Sequence, residues 1–174
     1  MVKIRKPGGQ GPRFRPPLAR RRTGQTDYRQ RLHMLQARKP RLVVRPSNRA
    51  ITVQFIDFAP TGDVVRATAT SRDLTPFGWD ESGANTPAAY LTGLLAGKRA
   101  AQAGIKEAIL DIGLRPSTPG GRAFAVLQGV VDAGVHVPHG KDVVPKQDRL
   151  RGEHIEGAPA KFDATKTKIQ QGGI

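Results

Sequence analysis

The chain has 174 residues, 37% of them hydrophobic, and carries 29 Lys and Arg against 14 Asp and Glu, a formal net charge of +15. The absence of cysteine excludes disulfides, thiolate metal sites and cysteine nucleophiles, and no apolar run approaches the roughly eighteen residues of a membrane span or follows the basic start as a secretory core would. The charge is segregated: residues 1–50 hold 15 bases and the single acid Asp27, a net +14, while the other 124 hold 14 bases against 13 acids, a net +1. A nearly neutral body joined to so basic a segment implies a polyanionic partner, and RNA is the one expected.

Residues 1–25 mix Gly, Pro and Arg with little to bury, so they are expected to be an extended or disordered basic arm when free. Gly8, Gly9, Gly11, Pro12, Pro16 and Pro17 argue against the amphipathic helix of an organellar leader. Its Arg13, Arg15, Arg20, Arg21 and Arg22 offer guanidinium forks to successive phosphates on a flexible backbone. Thr26 or Asp27 caps a short predicted helix running to about Arg38, with Leu32 and Leu35 as its apolar positions, and Pro40 stops it.

Three strand-like runs follow, Arg41–Pro46, Ala50–Phe58 and Val64–Ser71, separated by turn signals at Ser47-Asn48 and Thr61-Gly62-Asp63, and they predict an antiparallel meander. In the second run Ile51, Val53 and Phe55 alternate with Thr52, Gln54 and Ile56, the pattern of a sheet covered on one face and open on the other. Arg41, Arg45, Ser47, Asn48 and Arg49 surround the first strand and its turn, setting phosphate donors beside groups suited to a ribose hydroxyl or a base edge. Ser47 and Asn48 fit an ordinary turn equally well, so the arginines are the firmer candidates.

Residues 74–85 read as a loop around Pro76, Gly78 and the lone Trp79. Thr86-Pro87 then supplies an N-cap and a first-turn proline for a helix that ends near Gly104, its small side formed by Gly93, Gly97 and several alanines and expected to lie tightly on a sheet. Glu107–Leu114 reads as a strand, Arg115–Gly121 as a loop, and Arg122 to Ala133 as a helix closed by Gly134. Pro119-Gly120-Gly121-Arg122 offers backbone N–H groups and a guanidinium to a phosphate, though a plain connector fits as well, and it matches neither a P-loop nor a dinucleotide fingerprint. Beyond Pro145 the chain is polar, with a helix-compatible stretch Asp148–Ile155 and a poorly structured end expected from Gly157.

These elements describe an α/β two-layer sandwich: a mixed sheet that starts with an antiparallel meander, covered on one face by helices, plus the extended basic arm. The expected divisions are an arm over 1–25, an α/β RNA-binding domain over 26–145 with its core at about 40–140, and a polar extension over 146–174. His136 and His139 flank a proline without a carboxylate cluster, and Asp111 stands alone in its strand, so neither a metal site nor a catalytic set is expected.

Several segments are familiar together: Thr26-Asp27-Tyr28 through Arg31-Leu32, Lys39 to Arg45, Ser47-Asn48-Arg49, Ala88 to Ala96, Leu110 to Leu114, Thr118 to Arg122, Gly129 to Gly134, Pro138-His139 and Arg151 to Ile155. In that order they resemble the archaeal and eukaryotic branch of large-subunit ribosomal protein L-eighteen over about residues 20–156, and the short chain resembles the archaeal members. The resemblance implies a non-enzymatic protein of the cytoplasmic ribosome. It would bind 5S rRNA, help attach it to 23S rRNA, and neighbour other proteins of the central protuberance, with no cofactor, small-molecule substrate or membrane. It also implies a ribonuclease-H-like sheet-and-helix motif, although Arg41–Pro46 has arginines where a two-metal nuclease places a carboxylate. Carried over residue by residue, it adds Thr26, Tyr28, Arg31 and Lys39 to the RNA-binding candidates, Tyr28 either stacking on a base or packing its helix. The alternative is a general RNA binder or chaperone outside the ribosome, for which the arm would suffice.

Overall fold

The computed structural model describes residue 12 and residues 14–172, and the chain divides into one compact unit ending at Arg38 and a second from Lys39. In the first unit, residues 19–22 form a single helical turn, α1 (Ala19–Arg22), where extended chain was expected. The turn closes through the backbone N–H groups of Gln25 and Thr26, which both donate to the Arg20 carbonyl, and through Arg20 Nε donating to Thr26 Oγ1 at 2.9 Å. Such local hydrogen bonds order a segment that has nothing to bury. Helix α2 (Tyr28–Gln36) is capped by Asp27, whose carboxylate accepts from Arg29 N and Gln30 N at 2.9 and 3.2 Å.

The second unit is built on a four-stranded mixed sheet, β1 (Arg41–Pro46), β2 (Ile51–Asp57), β3 (Val64–Thr70) and β4 (Ile109–Asp111), in the order β3-β2-β1-β4. The meander β1-β2-β3 is antiparallel, and β4 joins β1 in parallel, pairing Val43 with Asp111. β4 keeps only three residues of the longer strand expected, with Glu107 making one further bridge to His136. Period-two alternation puts Leu42, Val44, Val53, Phe55, Ala67 and Ala69 on one face, all buried, and leaves Arg41, Val43, Arg45, Thr52 and Gln54 on the other.

Helix α3 (Thr86–Gln102) lies against β2 and β3, α4 (Arg122–Asp132) touches β1, and the two helices pack extensively on each other. Asn85, not Thr86, caps α3, accepting from Ala88 N at 2.9 Å. The glycines of α3 face α4 and not the sheet. A Cβ at Gly93 would sit 2.2 Å from the Val126 carbonyl oxygen, and one at Gly129 would sit 2.2 Å from that of Tyr90, so the two backbones meet where neither carries a side chain. The segment expected as loop forms a 3-10 turn over Ser71–Phe77, closed by Asp73 accepting from Thr70 N and Oγ1, and Trp79 beyond it is buried.

The C-terminal expectation fails most clearly. After the short α5 (Gln147–Arg151), residues from Gly157 onward form the fourteen-residue helix α6 (Ala158–Gln171), which packs on α3 and on the 71–77 turn. Its buried stripe is Ala158, Phe162, Thr165 and Ile169, spaced four, three and four. Only two of these are large and apolar, so the stripe is faint in sequence. Lys98 of α3 caps the end of α6, donating to the carbonyls of Ile169 and Gln170. Among the described residues no helix is long and apolar enough to cross a membrane.

Candidate nucleic-acid interface

In the first unit, Arg15, Arg20, Arg21 and Arg22 are exposed, while Thr26, Tyr28 and Arg31 are half-buried; Arg13 lies outside the described residues. Arg20, Arg21 and Arg22 follow one another on α1, where a 3.6-residue period splays their side chains around the turn. Tyr28 is the first residue of α2, immediately after the Asp27 cap.

In the second unit the β1–β2 turn gathers Ser47, Asn48, Arg49 and Arg122, with Arg45 just before it on β1, while Lys39 and Arg41 lie at the other end of the strand. Ser47 is used by the turn itself: its Oγ donates to the Ala50 carbonyl at 2.7 Å and accepts from Ala50 N at 3.0 Å and Arg49 N at 3.3 Å. This leaves Asn48 and Arg49 exposed at the tip. Arg122, at the start of α4, reaches the turn from behind, with Nη1 donating to the Ser47 and Ala84 carbonyls, each at 3.0 Å. Its role in the fold is a brace between turn and loop, and only part of its guanidinium stays open to a phosphate.

Arg41 differs from the expectation that it sits among exposed phosphate donors. It is 4% exposed, and its guanidinium donates to Asp111 Oδ2 at 2.9 Å and Asp63 Oδ2 at 2.6 Å. A cation on a sheet face this covered is retained because the carboxylates replace its water. Lys39 is paired with Glu107 at 2.7 Å and remains partly exposed. Arg45 keeps 46% of its side chain exposed while Nη2 pairs with Asp111 Oδ1 at 3.0 Å.

Asp111, which stands without a local partner in the sequence, is therefore the junction of the sheet face that carries Arg41, Val43 and Arg45. Burial raises its pKa, but the Arg45 charge and hydrogen bonds from Arg45, Gly113 N and Arg41 outweigh this and hold it below the usual carboxylate value. Strand pairing explains the convergence: Asp111 lies opposite Val43, and Arg41 and Arg45 flank Val43 on the same face. No local signal reveals it, since the partners are 66 and 70 residues apart in the chain. A carboxylate held by two arginines makes no metal site, and among the described residues no group of three or more His, Asp or Glu could hold an ion.

Further ion pairs in the second unit join Asp57 to Arg66, Asp73 to Arg99, Asp163 to Arg151, and Asp80 and Glu81 to Lys161. Among the described residues Arg49 makes no ion pair and its side chain is exposed. Its exposed guanidinium at the tip of the turn is suited to a polyanion.

A family model described as "Ribosomal large subunit proteins 60S L5, and 50S L18" matches residues 12–106 and 100–140. The chain is 54% identical to the large ribosomal subunit protein uL18 of Korarchaeum cryptofilum over 151 residues, 87% of this chain and 77% of that protein. It is 54% identical to the uL18 of Natronomonas pharaonis over 145 residues, covering 83% and 79%. With the uL18 of Halobacterium salinarum the identity is 46% over 179 aligned positions, covering 92% and 98%.

Proposed function

The chain belongs to the family of ribosomal large subunit proteins 60S L5 and 50S L18, and from that premise we propose that it is a structural, non-catalytic protein of the large ribosomal subunit that binds 5S rRNA and helps attach it to 23S rRNA in the central protuberance. The observation that carries the reading is that the family match takes in both the arginine-rich stretch from residue 12 and the β1–β2 turn, where exposed arginines are presented. Position, not chemistry, is the mechanism: arginine forks neutralise phosphates and release counterions, while the sheet and helices fix where those forks stand.

In this reading Arg13, Arg15, Arg20, Arg21 and Arg22 track the phosphate backbone, and Thr26, Tyr28 and Arg31 continue the contact. Arg45, Asn48 and Arg49 meet the RNA at the turn with Arg122 at its margin, and Lys39 adds a contact at the far end of β1. Arg41 acts behind the surface, through Asp111. The antiparallel meander followed by a helix and a parallel fourth strand supports placing the domain in the ribonuclease-H-like class, used here for binding. The protein then resides in the cytoplasm within the ribosome, beside other large-subunit proteins.

The test is competitive binding of labelled 5S rRNA at physiological salt against excess tRNA, which offers similar charge in a different shape. Failure of tRNA to compete is the expected result. Equal competition would reduce the protein to a general RNA binder.

A further inference from the structure

Arg45 stands in a setting that a simple phosphate contact does not require. A Cβ placed on Gly113 would lie 3.1 Å from Arg45 Cζ, 3.2 Å from Nη2 and 3.4 Å from Nη1. The central carbon is the nearest of the three atoms. Approach in the guanidinium plane between the two nitrogens would bring the nitrogens closest, so the Gly113 backbone lies beneath the flat face of the group. Gly113 has φ +67°, and with its missing side chain this allows the close approach.

The end-on donor edge is spent as well. Nη1 donates to the Val44 carbonyl at 3.0 Å and the Asp111 carbonyl at 2.7 Å, and Nη2 donates to Asp111 Oδ1 at 3.0 Å. The end-on fork is thereby occupied, and at the side-on Nε–Nη2 edge the adjoining Asp111 carboxylate repels an arriving anion. What remains is the outer face of a fixed plane on a side chain 46% exposed, with the Nε–Nη2 edge alongside. A neutral aromatic ring is drawn to such a face by stacking and cation–π attraction without opposition from Asp111.

We infer that Arg45 is a stacking platform for one unpaired nucleobase of the bound RNA, held flat by Gly113 and clamped by Asp111. This rests on the 5S rRNA reading and names the chemistry at one point of that interface. Asp111 and Gly113 are positioning residues and do not touch RNA.

The experiment uses the full chain and 5S rRNA carrying single abasic substitutions at each unpaired position, with wild type, Arg45→Lys and Arg45→Gln compared. Lys keeps the charge without a planar face, and Gln keeps a planar group without the charge. Stacking predicts that Arg45→Lys binds about 10-fold more weakly at unchanged salt slope, and that Gln binds at least as well as Lys. At one abasic position the wild type should fall to the level of Arg45→Lys. Additive losses at every position overturn the platform, as does Lys outperforming Gln with Gln lowering the salt slope by about 0.7 to 0.9, the mark of one phosphate. Urea midpoints check folding; should Arg45→Lys not fold, the coupling is read with Arg45→Gln. If wild type shows no preference for 5S rRNA over tRNA, the 5S reading fails and the platform with it. If it is selective yet every loss is additive, only the platform fails.

Discussion

At the scale of single residues, Asp111 shows how a side chain with no visible partner in sequence organises a surface. Its folded pKa lies below the ordinary value of 3.8, because the pull of Arg45 and Arg41 exceeds the opposing cost of burial. A depressed carboxylate stabilises the fold fully above its unfolded pKa, and that contribution drains away as pH falls through the folded value. Asp111→Asn should therefore cost about 3 kcal/mol at pH 7, the low end for breaking a buried pair because Arg41 keeps Asp63. Urea unfolding at pH 7 and pH 3 should show the gap between variant and wild type narrowing in acid. The exposure of Arg45 and Arg49 beside the turn was legible because bases next to a turn signal need no further information. The inward turn of Arg41 was not, because it depends on a strand contributed 70 residues later.

At the scale of elements, the boundaries that capping chemistry sets were readable, and the surfaces that elements share were not. Asp27 and Asn85 cap α2 and α3 close to the expected starts, since a short polar side chain before a helical run satisfies free N–H groups wherever it occurs. The small side of α3 was equally visible, but its partner was not: Gly93 and Gly129 show their mutual contact only once α4 is in place. Gly93→Ala should lower stability by about 3 kcal/mol, as overpacking against backbone leaves no flexible atom to yield, and thermal unfolding would measure it. Helix α6 was missed because Thr165 interrupts its apolar stripe. Truncation before Gly157 removes the buried Phe162 and Ile169 and should destabilise the second unit by about 3 to 6 kcal/mol, read as a shift in the urea midpoint.

At the scale of the molecule, charge is divided between residues 1–50, which carry a net +14, and the rest of the chain, which carries +1. If about six phosphates are contacted, log affinity for 5S rRNA should fall against log salt with a slope of about −4 to −5. Deleting residues 1–25 should reduce both affinity and slope while leaving a preference for 5S rRNA over tRNA in filter or fluorescence binding. Loss of all binding would place recognition in the arm alone.

The sequence by itself determined the α/β character, the meander, the basic arm and the kind of partner, because periodicity, turn residues and net charge are local or additive properties that survive without coordinates. Tertiary structure decided which arginines face outward, what holds Asp111, where the α3 glycines point and that the polar end folds as a helix. Each of these depends on residues far apart in the chain meeting across a sheet or between helices, and one chain read alone does not specify those meetings.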